Sequence, residues 1–341
     1  MRNWSRRGLL ASLLWPLSLL FRLIVAMRRA AYAVGVFKVV RMSIPVIVVG
    51  NLYVGGTGKT PFTIWLIEHL REAGFHPGVV SRGHGGAVAG LQHVLPDSLA
   101  AAVGDEPVLI VRRTRVPLMV GRDRVAAGQA LLAAHPEIDV LVADDGLQHY
   151  RLARDIEIVL SDARGVGNGW LLPAGPLREP VQRRRDFSVE NIGTQGADGA
   201  GDTRTASSPS KAQMRLLAPV AEQLADRSQR TTLSAIAAVR PAPRILAAAG
   251  IGNPARFFAS LRAAGLDFDS MPLPDHFPFS AETFAGHDAD LILITEKDAV
   301  KCEGIATLAG DLRLWVVPVS AWLDAGFADT LVERLRGHPT A

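Results

Sequence analysis

The stretch Val46-Ile47-Val48-Val49-Gly50-Asn51-Leu52-Tyr53-Val54-Gly55-Gly56-Thr57-Gly58-Lys59-Thr60 runs from an apolar segment into a glycine-rich loop that ends in Gly-Lys-Thr. A strand, such a loop and a following helix are typical of a P-loop, whose backbone N–H groups converge on phosphate oxygens. We expect Lys59 to contact the β- and γ-phosphates and the Thr60 hydroxyl to ligate Mg²⁺. The predicted nucleotide-binding residues are Gly55, Gly56, Thr57, Gly58, Lys59 and Thr60.

The loop departs at one position from the usual pattern G-x-x-x-x-G-K-[ST], because Tyr53 stands where the first glycine is expected. Gly50 and Gly55, on either side, can supply the backbone freedom that the turn needs. The alternative is a glycine-rich turn between strand and helix that contains Lys-Thr by chance. The order of strand, loop and helix favours the P-loop.

Two adjacent carboxylates, Asp144 and Asp145, follow a second apolar segment, residues 138–143. Ligands of open parallel sheets bind at the carboxyl ends of the strands, where a carboxylate can hold the Mg²⁺ of a bound nucleotide. We therefore predict a metal site formed by Thr60, Asp145 and Asp144. The alternative is an Asp-Asp-Gly turn that only closes the strand.

The first 42 residues form a basic arm, since the first acidic residue of the chain is Glu68. Residues 8–21 of this arm are apolar but shorter than the roughly 20 residues that span a bilayer. Pro16 and Arg22 argue further against a spanning helix. We predict an amphipathic helix in the plane of an anionic membrane surface. A signal peptide and a buried helix of the soluble core are the alternatives.

Composition limits the kinds of protein that this chain can be. A length of 341 residues suggests two domains, and the single cysteine, Cys302, excludes an intrachain disulfide and indicates a reduced, cytosol-facing protein. The formal net charge is +4. Because the basic excess is concentrated in the arm, we expect it to meet a membrane and not nucleic acid.

Alternating strand and helix patterns predict an α/β fold, a P-loop NTPase-like doubly wound sheet with a second, smaller α/β domain. The predicted ranges are an arm over 1–42, a P-loop core over 43–186, an interdomain linker over 187–243 and a second unit over 244–341. Residues 193–213 contain no Ile, Leu, Val, Met or aromatic residue. We expect that segment to be a mobile loop, because it cannot bury apolar surface.

The nucleotide is not expected to be GTP. A GTPase carries Asn/Thr-Lys-x-Asp after a strand, and Thr295-Glu296-Lys297-Asp298 places the lysine one position too late. Phosphoryl transfer to a hydroxyl also needs a group that accepts the hydroxyl proton. Candidates for that group are Asp105, Glu106 and His276, although an Asp or His in such a proline-rich turn more often has a structural role.

The ordered set of motifs resembles the tetraacyldisaccharide 4′-kinases of lipid A biosynthesis. Besides the P-loop, the motifs are Ser81-Arg82-Gly83-His84-Gly85, Gly104-Asp105-Glu106-Pro107, Asp144-Asp145-Gly146-Leu147-Gln148-His149, Leu172-Pro173-Ala174-Gly175-Pro176-Leu177-Arg178-Glu179, Gly250-Ile251-Gly252-Asn253-Pro254, Asp275-His276-Phe277 and Thr295-Glu296-Lys297-Asp298-Ala299-Val300-Lys301. His84 stands where that family more often has tyrosine.

The resemblance implies transfer of the ATP γ-phosphate, with Mg²⁺, to the 4′-hydroxyl of a tetraacylated glucosamine disaccharide 1-phosphate at the cytoplasmic face of the inner membrane. It implies Asp105 as the catalytic base, assisted by His276 from a second unit that closes on the active site. Other residues that it places in the cleft are Glu106, His149, Arg178 and Glu179. No obligate protein partner is implied.

Two other classes share the P-loop. One is a membrane-associated ATPase that couples hydrolysis to a protein partner, and acceptor-independent ATP hydrolysis would favour it. The other is a nucleotide-binding scaffold without catalysis, which would tolerate the loss of Lys59.

Overall fold

The computed structural model of the chain describes residues 4, 6–193 and 210–337. Within these residues the strands are β1 Val46–Asn51, β2 Pro77–Ser81, β3 Gln92–Val94, β4 Leu118–Val120, β5 Val140–Asp144, β6 Ile156–Asp162, β7 Phe187–Gly193, β8 Lys211–Leu217, β9 Val220–Gln223, β10 Arg230–Thr232, β11 Ile245–Ala249, β12 Asp269–Pro272, β13 Leu291–Thr295, β14 Leu314–Val317 and β15 Ser320–Leu323. The helices are α1 Leu9–Ala33, α2 Lys59–Glu72, α3 Ala100–Val103, α4 Asp105–Thr114, α5 Arg124–Ala134, α6 Leu233–Ala238, α7 Pro254–Ala263, α8 Glu296–Cys302, α9 Ala306–Ala309 and α10 Ala325–Arg336.

Nine strands of the described chain form one large sheet in the order β15-β8-β7-β6-β1-β5-β2-β4-β3. Its centre is parallel, and β3 and β15 close its edges as antiparallel strands. Side chains of β1 point alternately into two cores: Ile47 and Val49 pack with α2, and Val46 and Val48 pack with α5. A parallel sheet covered on both faces needs such apolar strands. The predicted doubly wound P-loop fold is thereby confirmed.

A smaller sheet of six described strands has the order β10-β9-β14-β13-β11-β12. Strands β12, β11, β13 and β14 are parallel, whereas β9 and β10 run antiparallel at one edge. Its two faces pack separate cores, one around Phe284 and the other around Phe257. This is the second, smaller α/β unit that the sequence predicted.

The predicted boundaries between the units differ from the observed sheets. Range 187–243 is not only a linker, because β7 and β8 extend the large sheet and β9 and β10 edge the small one. Strand β15, from range 244–341, returns to pair with β8, and α10 packs its Phe327 against the large core. We propose that the two sheets define the domains. Residues 194–209 of the expected mobile loop lie outside the described residues.

Helix α1 is 25 residues long and continues through both Pro16 and Arg22, so the helix extends beyond the apolar residues 8–21. Among the described helices it alone is long and apolar enough to cross a membrane. The alternative of a buried core helix is also wrong, because only Ala11 and Ser18 of α1 are buried. The Ser18 hydroxyl donates a 2.7 Å hydrogen bond to the carbonyl of Leu171, which fixes one side of α1 to the large unit.

Candidate active site

The glycine-rich loop forms a cradle between the end of β1 and the start of α2. Gly58 has a φ of 93°, a left-handed conformation that favours glycine, and a Cβ there would lie 2.5 Å from the Asn191 side-chain nitrogen. The Asn51 side chain donates to the carbonyls of Tyr53 and Gly55, at 2.7 and 3.0 Å. No side chain caps the N-terminus of α2, so its first N–H groups remain available to an anion.

The departure at Tyr53 is explained by its surroundings. Tyr53 pairs with Leu177 in an isolated antiparallel bridge, and its ring lies under the Arg164 guanidinium, 4.4 Å from the ring centre. It is therefore held in extended backbone, where a glycine is not required. The left-handed turns are supplied by Gly55 and Gly58.

Lys59 and the two acidic residues of the predicted metal site lie together at the carboxyl ends of β1 and β5. The Lys59 Nζ atom is 3.6 Å from Asp145 Oδ1 and 3.3 Å from Asn51 Oδ1. Thr63 donates to the other acid, Asp144, over 3.3 Å. This arrangement brings the predicted phosphate ligand and the predicted metal ligands to one place.

Asp144 and Asp145 have opposite pKa shifts. Burial raises the pKa of Asp144 to about 7, and the nearby carboxylate of Glu106 adds to the rise. Burial also raises the pKa of Asp145, but Lys59 and Arg178 together outweigh it, so the net pKa lies below the ordinary value. Asp145 is thus the permanent anion of the pair.

The donor set fits Mg²⁺ bound together with a nucleotide. The described residues contain no group of three or more His, Cys, Asp or Glu side chains that could hold a metal by themselves. Mg²⁺ usually takes one or two carboxylates and completes its shell with phosphates and water. The buried Thr57 hydroxyl, which has no hydrogen-bond partner in the described chain, is also suited to a phosphate oxygen.

Asp105 is the first residue of α4 and is 3% exposed. Its Oδ2 atom lies 3.0 Å from His276 Nδ1, and its Oδ1 atom accepts the N–H of Glu106 over 2.9 Å. Burial raises the pKa of Asp105, yet the hydrogen bond from His276 and the charge of Lys297 bring it below the ordinary value. The bond to Asp105 raises the pKa of His276 in turn. The sequence-predicted base and its assistant therefore form a hydrogen-bonded pair.

Backbone geometry holds this pair in place. His276 has a left-handed φ of 59°, and a Cβ on Gly85 would come within 2.8 Å of its Nδ1 atom. Gly104, just before Asp105, has a φ of 96°, and a Cβ there would lie 2.7 Å from the carbonyl of His84. The ring of His84 meets that of His276 edge to face at 5.1 Å. Glycines thus let the loop before α4 approach the small unit closely.

Two lysines of α8, which received no role from the sequence, complete the cluster. Lys297 Nζ lies 3.1 Å from Glu106, 3.5 Å from Asp275 and 3.9 Å from Asp105. Lys301 Nζ lies 3.8 Å from Asp105. The signal in the sequence was their spacing of four, which puts both on one face of a helix.

The weaker cleft candidates divide into two groups. Glu106 and Arg178 lie at the centre, since Arg178 reaches Asp145 Oδ1 at 3.2 Å. Glu179 is fully buried and accepts from Gln148 over 3.0 Å. His149 lies 3.7 Å from Asp123, and burial, helped by Arg124, lowers its pKa to about 4. His149 is therefore neutral at pH 7.

A third contact joins the two units beside the P-loop. Asp162, at the end of β6, is bonded by Arg164 and, over 2.9 Å, by Arg256 from α7 of the small unit. Arg164 also donates to the carbonyl of Gly56 over 2.9 Å. The glycine turn after β11 approaches so closely that a Cβ on Gly252 would lie 3.0 Å from the Gly56 nitrogen. Close packing therefore explains the glycine at this position.

The site combines three features: a P-loop with a lysine, two acids at the end of the neighbouring strand, and a carboxylate bonded to a histidine. Together they define the class of protein as a P-loop phosphotransferase. Comparisons of the chain with known proteins identify one family within this class. A family model described as tetraacyldisaccharide-1-P 4′-kinase matches residues 10–336. The chain therefore belongs to the tetraacyldisaccharide 4′-kinase family.

Individual relatives agree over the full length. Tetraacyldisaccharide 4′-kinases from Herminiimonas arsenicoxydans and Janthinobacterium sp. (strain Marseille) are 59% and 58% identical, and each match covers 100% of this chain and 96% of the relative. The solved structure of LpxK from Aquifex aeolicus in complex with ATP is similar with a TM-score of 0.77 and 26% identity. That match covers 96% of this chain and 100% of the other.

Proposed function

We propose that this chain transfers the γ-phosphate of ATP to the 4′-hydroxyl of a tetraacylated glucosamine disaccharide 1-phosphate, a step of lipid A biosynthesis. The observation that carries the proposal is the bond between Asp105 and His276 beside a P-loop, in a chain that its relatives match from end to end. The same family match favours a kinase over the P-loop ATPase and the scaffold.

Asp105 acts as the base in this proposal. Its low pKa keeps it anionic, and one oxygen is positioned by the Glu106 N–H, so the carboxylate can accept the proton of the attacking hydroxyl. His276 donates to the other oxygen and fixes the orientation of the carboxylate. The carboxylate of Glu106, the residue after Asp105, contributes to the raised pKa of Asp144, which supports a base close to the metal ligands.

The P-loop supplies charge stabilisation. The free N–H groups at the start of α2 and the Lys59 ammonium hold the transferred phosphoryl group and balance its negative charge. Thr60, Asp145 and Asp144 would hold Mg²⁺, which would supply positive charge to the phosphates of the bound nucleotide. Arg178 neutralises Asp145 and so keeps the local charge balanced.

Both units contribute to the site, and closure of one on the other is part of the proposal. Asp105 and the P-loop belong to the large sheet, whereas His276 and Lys297 belong to the small one. Opening would release the nucleotide and separate the base from its assistant. The ion pair between Arg256 and Asp162 is a second contact between the two units, besides the bond between His276 and Asp105.

Helix α1 is the proposed membrane anchor at the cytoplasmic face of the inner membrane. Its exposed leucines include Leu9 at 94% and Leu13 at 76% exposure, which water does not favour. An acceptor with four acyl chains lies in a bilayer, so an enzyme on that surface avoids extracting the chains. We propose no obligate protein partner.

The test is mass spectrometry of the lipid after incubation with the protein, ATP and Mg²⁺ in detergent. The expected product is a bisphosphorylated lipid, lost in both Lys59→Ala and Asp105→Asn. Asp105→Asn should still bind ATP, since it does not touch the P-loop. Matched controls are the exposed residues Lys211→Ala and Asp97→Asn, which should keep activity. Hydrolysed ATP with unchanged lipid would instead support the ATPase.

A further inference from the structure

A pair of histidines joins the edge of the large sheet to a neighbouring helix. His93 lies on β3, and His135 directly follows the last residue of α5. Their Nε2 atoms are 3.2 Å apart, and the two rings lie within 16° of parallel with 5.2 Å between their centres. Because 42 positions separate the two residues in the chain, the tertiary fold and not a local turn brings these nitrogens together.

The hydrogen bonds of the rings direct lone pairs toward this contact. The Nδ1 atom of His135 lies 3.0 Å from Oε1 of Glu137, and an ionised carboxylate only accepts, so this Nδ1 carries the proton. In the neutral ring of His135 the lone pair is then on Nε2, which faces His93. His93 is exposed, so water can accept the proton on its Nδ1 atom and leave a second lone pair on its Nε2 atom.

The distance between the nitrogens fits an ion bound by both of them. Zinc takes imidazole nitrogens at about 2.0–2.1 Å in tetrahedral geometry, which puts two such nitrogens about 3.3 Å apart. The observed separation of 3.2 Å agrees with this value. A hydrogen bond between the rings gives a similar distance, but it uses one lone pair, whereas an ion uses both.

The surroundings of the pair are rigid and favour a positive charge. His93 pairs with Met119 of β4, and the His135 N–H donates to the carbonyl of Leu131 over 2.9 Å. Glu137 orients the His135 ring as carboxylates orient metal-binding histidines. His135 also lies at the carboxyl end of α5, where the helix dipole attracts cations. Both ligand nitrogens are therefore held in place before an ion arrives.

This site is separate from the predicted magnesium site. Asp144 is the last residue of β5, whereas His135 precedes the first residue of that strand, Val140. The steps from Val140 to Asp144 alone span about 13 Å. Within residues 6–193 and 210–337, no three His, Cys, Asp or Glu side chains form a group that could hold a metal. The chain thus supplies two nitrogens, and water must complete the shell of an ion bound here.

We propose that His93 and His135 bind a divalent transition-metal ion such as Zn²⁺, with Glu137 as the residue that positions His135. Imidazole nitrogen suits Zn²⁺, Cu²⁺ and Ni²⁺, whereas Mg²⁺ prefers oxygen ligands. The ion joins the edge strand β3 to the end of α5. It stabilises the folded chain, because an ion that binds the folded form shifts the unfolding equilibrium. The proposal does not depend on the kinase activity.

The experiment titrates Zn²⁺ into the full-length, nucleotide-free protein by calorimetry, after chelator treatment and in the presence of millimolar Mg²⁺. The wild type should bind one equivalent more than either His93→Gln or His135→Gln. Glu137→Gln should weaken the binding of this equivalent about 10- to 100-fold. His287→Gln, which removes another exposed histidine, is the matched control and should bind Zn²⁺ like the wild type.

Two further measurements report on the same site. Electron paramagnetic resonance of bound Cu²⁺ should show one nitrogen ligand fewer at this site in each single histidine variant than in the wild type. Zn²⁺ should raise the Tm of the wild type and of His287→Gln more than that of His93→Gln or His135→Gln. Each increase is measured against the same variant without Zn²⁺, so a change in basal stability does not affect the comparison.

Two results would overturn the proposal. Equal stoichiometry and affinity in the wild type and both single variants would mean that His93 and His135 are only a hydrogen-bonded pair. Displacement of the ion by millimolar Mg²⁺ would mean that oxygen ligands and not these imidazoles hold it. Unchanged affinity in Glu137→Gln would contradict the positioning role of Glu137.

Discussion

The Nδ1 atom of His276 lies 3.0 Å from the Oδ2 atom of Asp105, although 171 positions separate the two residues in the chain. Asp105 begins α4 beside the large sheet, and His276 follows β12 of the small sheet. The bond therefore depends on how the two units sit against each other. It links the chemistry of the proposed base directly to domain closure.

Replacing His276 by glutamine should move the acid limb of the pH profile of kcat/KM upward. Asp105 must be deprotonated to accept a proton, so activity is lost as the pH falls through its pKa. Because His276 helps to depress that pKa, His276→Gln should raise it. His287→Gln, an exposed histidine of the same unit, is the control. An unmoved acid limb would remove His276 from the proposed role.

Lys297 is expected to be needed for stability as well as for the charge of the base. Its Nζ atom lies 3.1 to 3.9 Å from the carboxylates of Glu106, Asp275 and Asp105, and only 16% of its side chain is exposed. Lys297→Gln leaves three carboxylates close together, so the free energy of unfolding should fall by about 1–3 kcal/mol. Urea unfolding measures this loss, and Lys211→Gln on an exposed strand position should be neutral. Equal stability of the two variants would contradict the role of Lys297.

Two glycines of the P-loop should respond differently to alanine. A Cβ on Gly58 meets the Asn191 side chain at 2.5 Å in a left-handed backbone, whereas a Cβ on Gly56 meets nothing within 4 Å. Gly58→Ala should lower the free energy of unfolding without nucleotide by about 1–3 kcal/mol, and Gly56→Ala should change it by less than about 0.5 kcal/mol. Chemical denaturation of both variants tests the pair. Similar values would mean that the loop relaxes freely around Gly58.

Local patterns were enough to predict the centre of the fold. The apolar run of β1, the glycine loop and α2 are adjacent in the chain, and each is specified by its own residues. The strands β5, β11 and β14 are likewise short apolar runs between turns. Such segments are buried on both faces, so their composition alone marks them.

Strands with mixed composition escaped prediction. In β7, buried Phe187, Val189 and Asn191 alternate with more exposed residues, and the strand was assigned to a linker because a polar segment follows it. Strand β15 was missed because its pairing with β8 joins segments more than 100 residues apart. Pairing between strands so far apart in the chain is decided by tertiary packing and not by local propensity.

The prediction of the site residues was also limited to what local sequence shows. Asp105, His276 and the acids after β5 were singled out by motif, and the structure brings each into one cleft. Lys297 and Arg256 were not singled out, because Asp105 and Asp162, which they contact, lie in the other unit. Only the folded chain brings these residues together. The assignment of roles to all these residues stays a prediction until variants are measured.

The exposed face of α1 offers the last prediction, on membrane attachment. Leu13 and Leu20 are 76% and 55% exposed and point away from the large unit. An aspartate in the hydrocarbon costs about 2.5–3.5 kcal/mol at the centre of a spanning helix and less near the surface. Leu13→Asp/Leu20→Asp should therefore reduce co-sedimentation with phosphatidylglycerol vesicles at least about tenfold. Leu95→Asp/Leu312→Asp, which adds the same charge at exposed leucines outside α1, should sediment like the wild type. Equal loss in both variants would mean that net charge, and not the apolar face of α1, controls attachment.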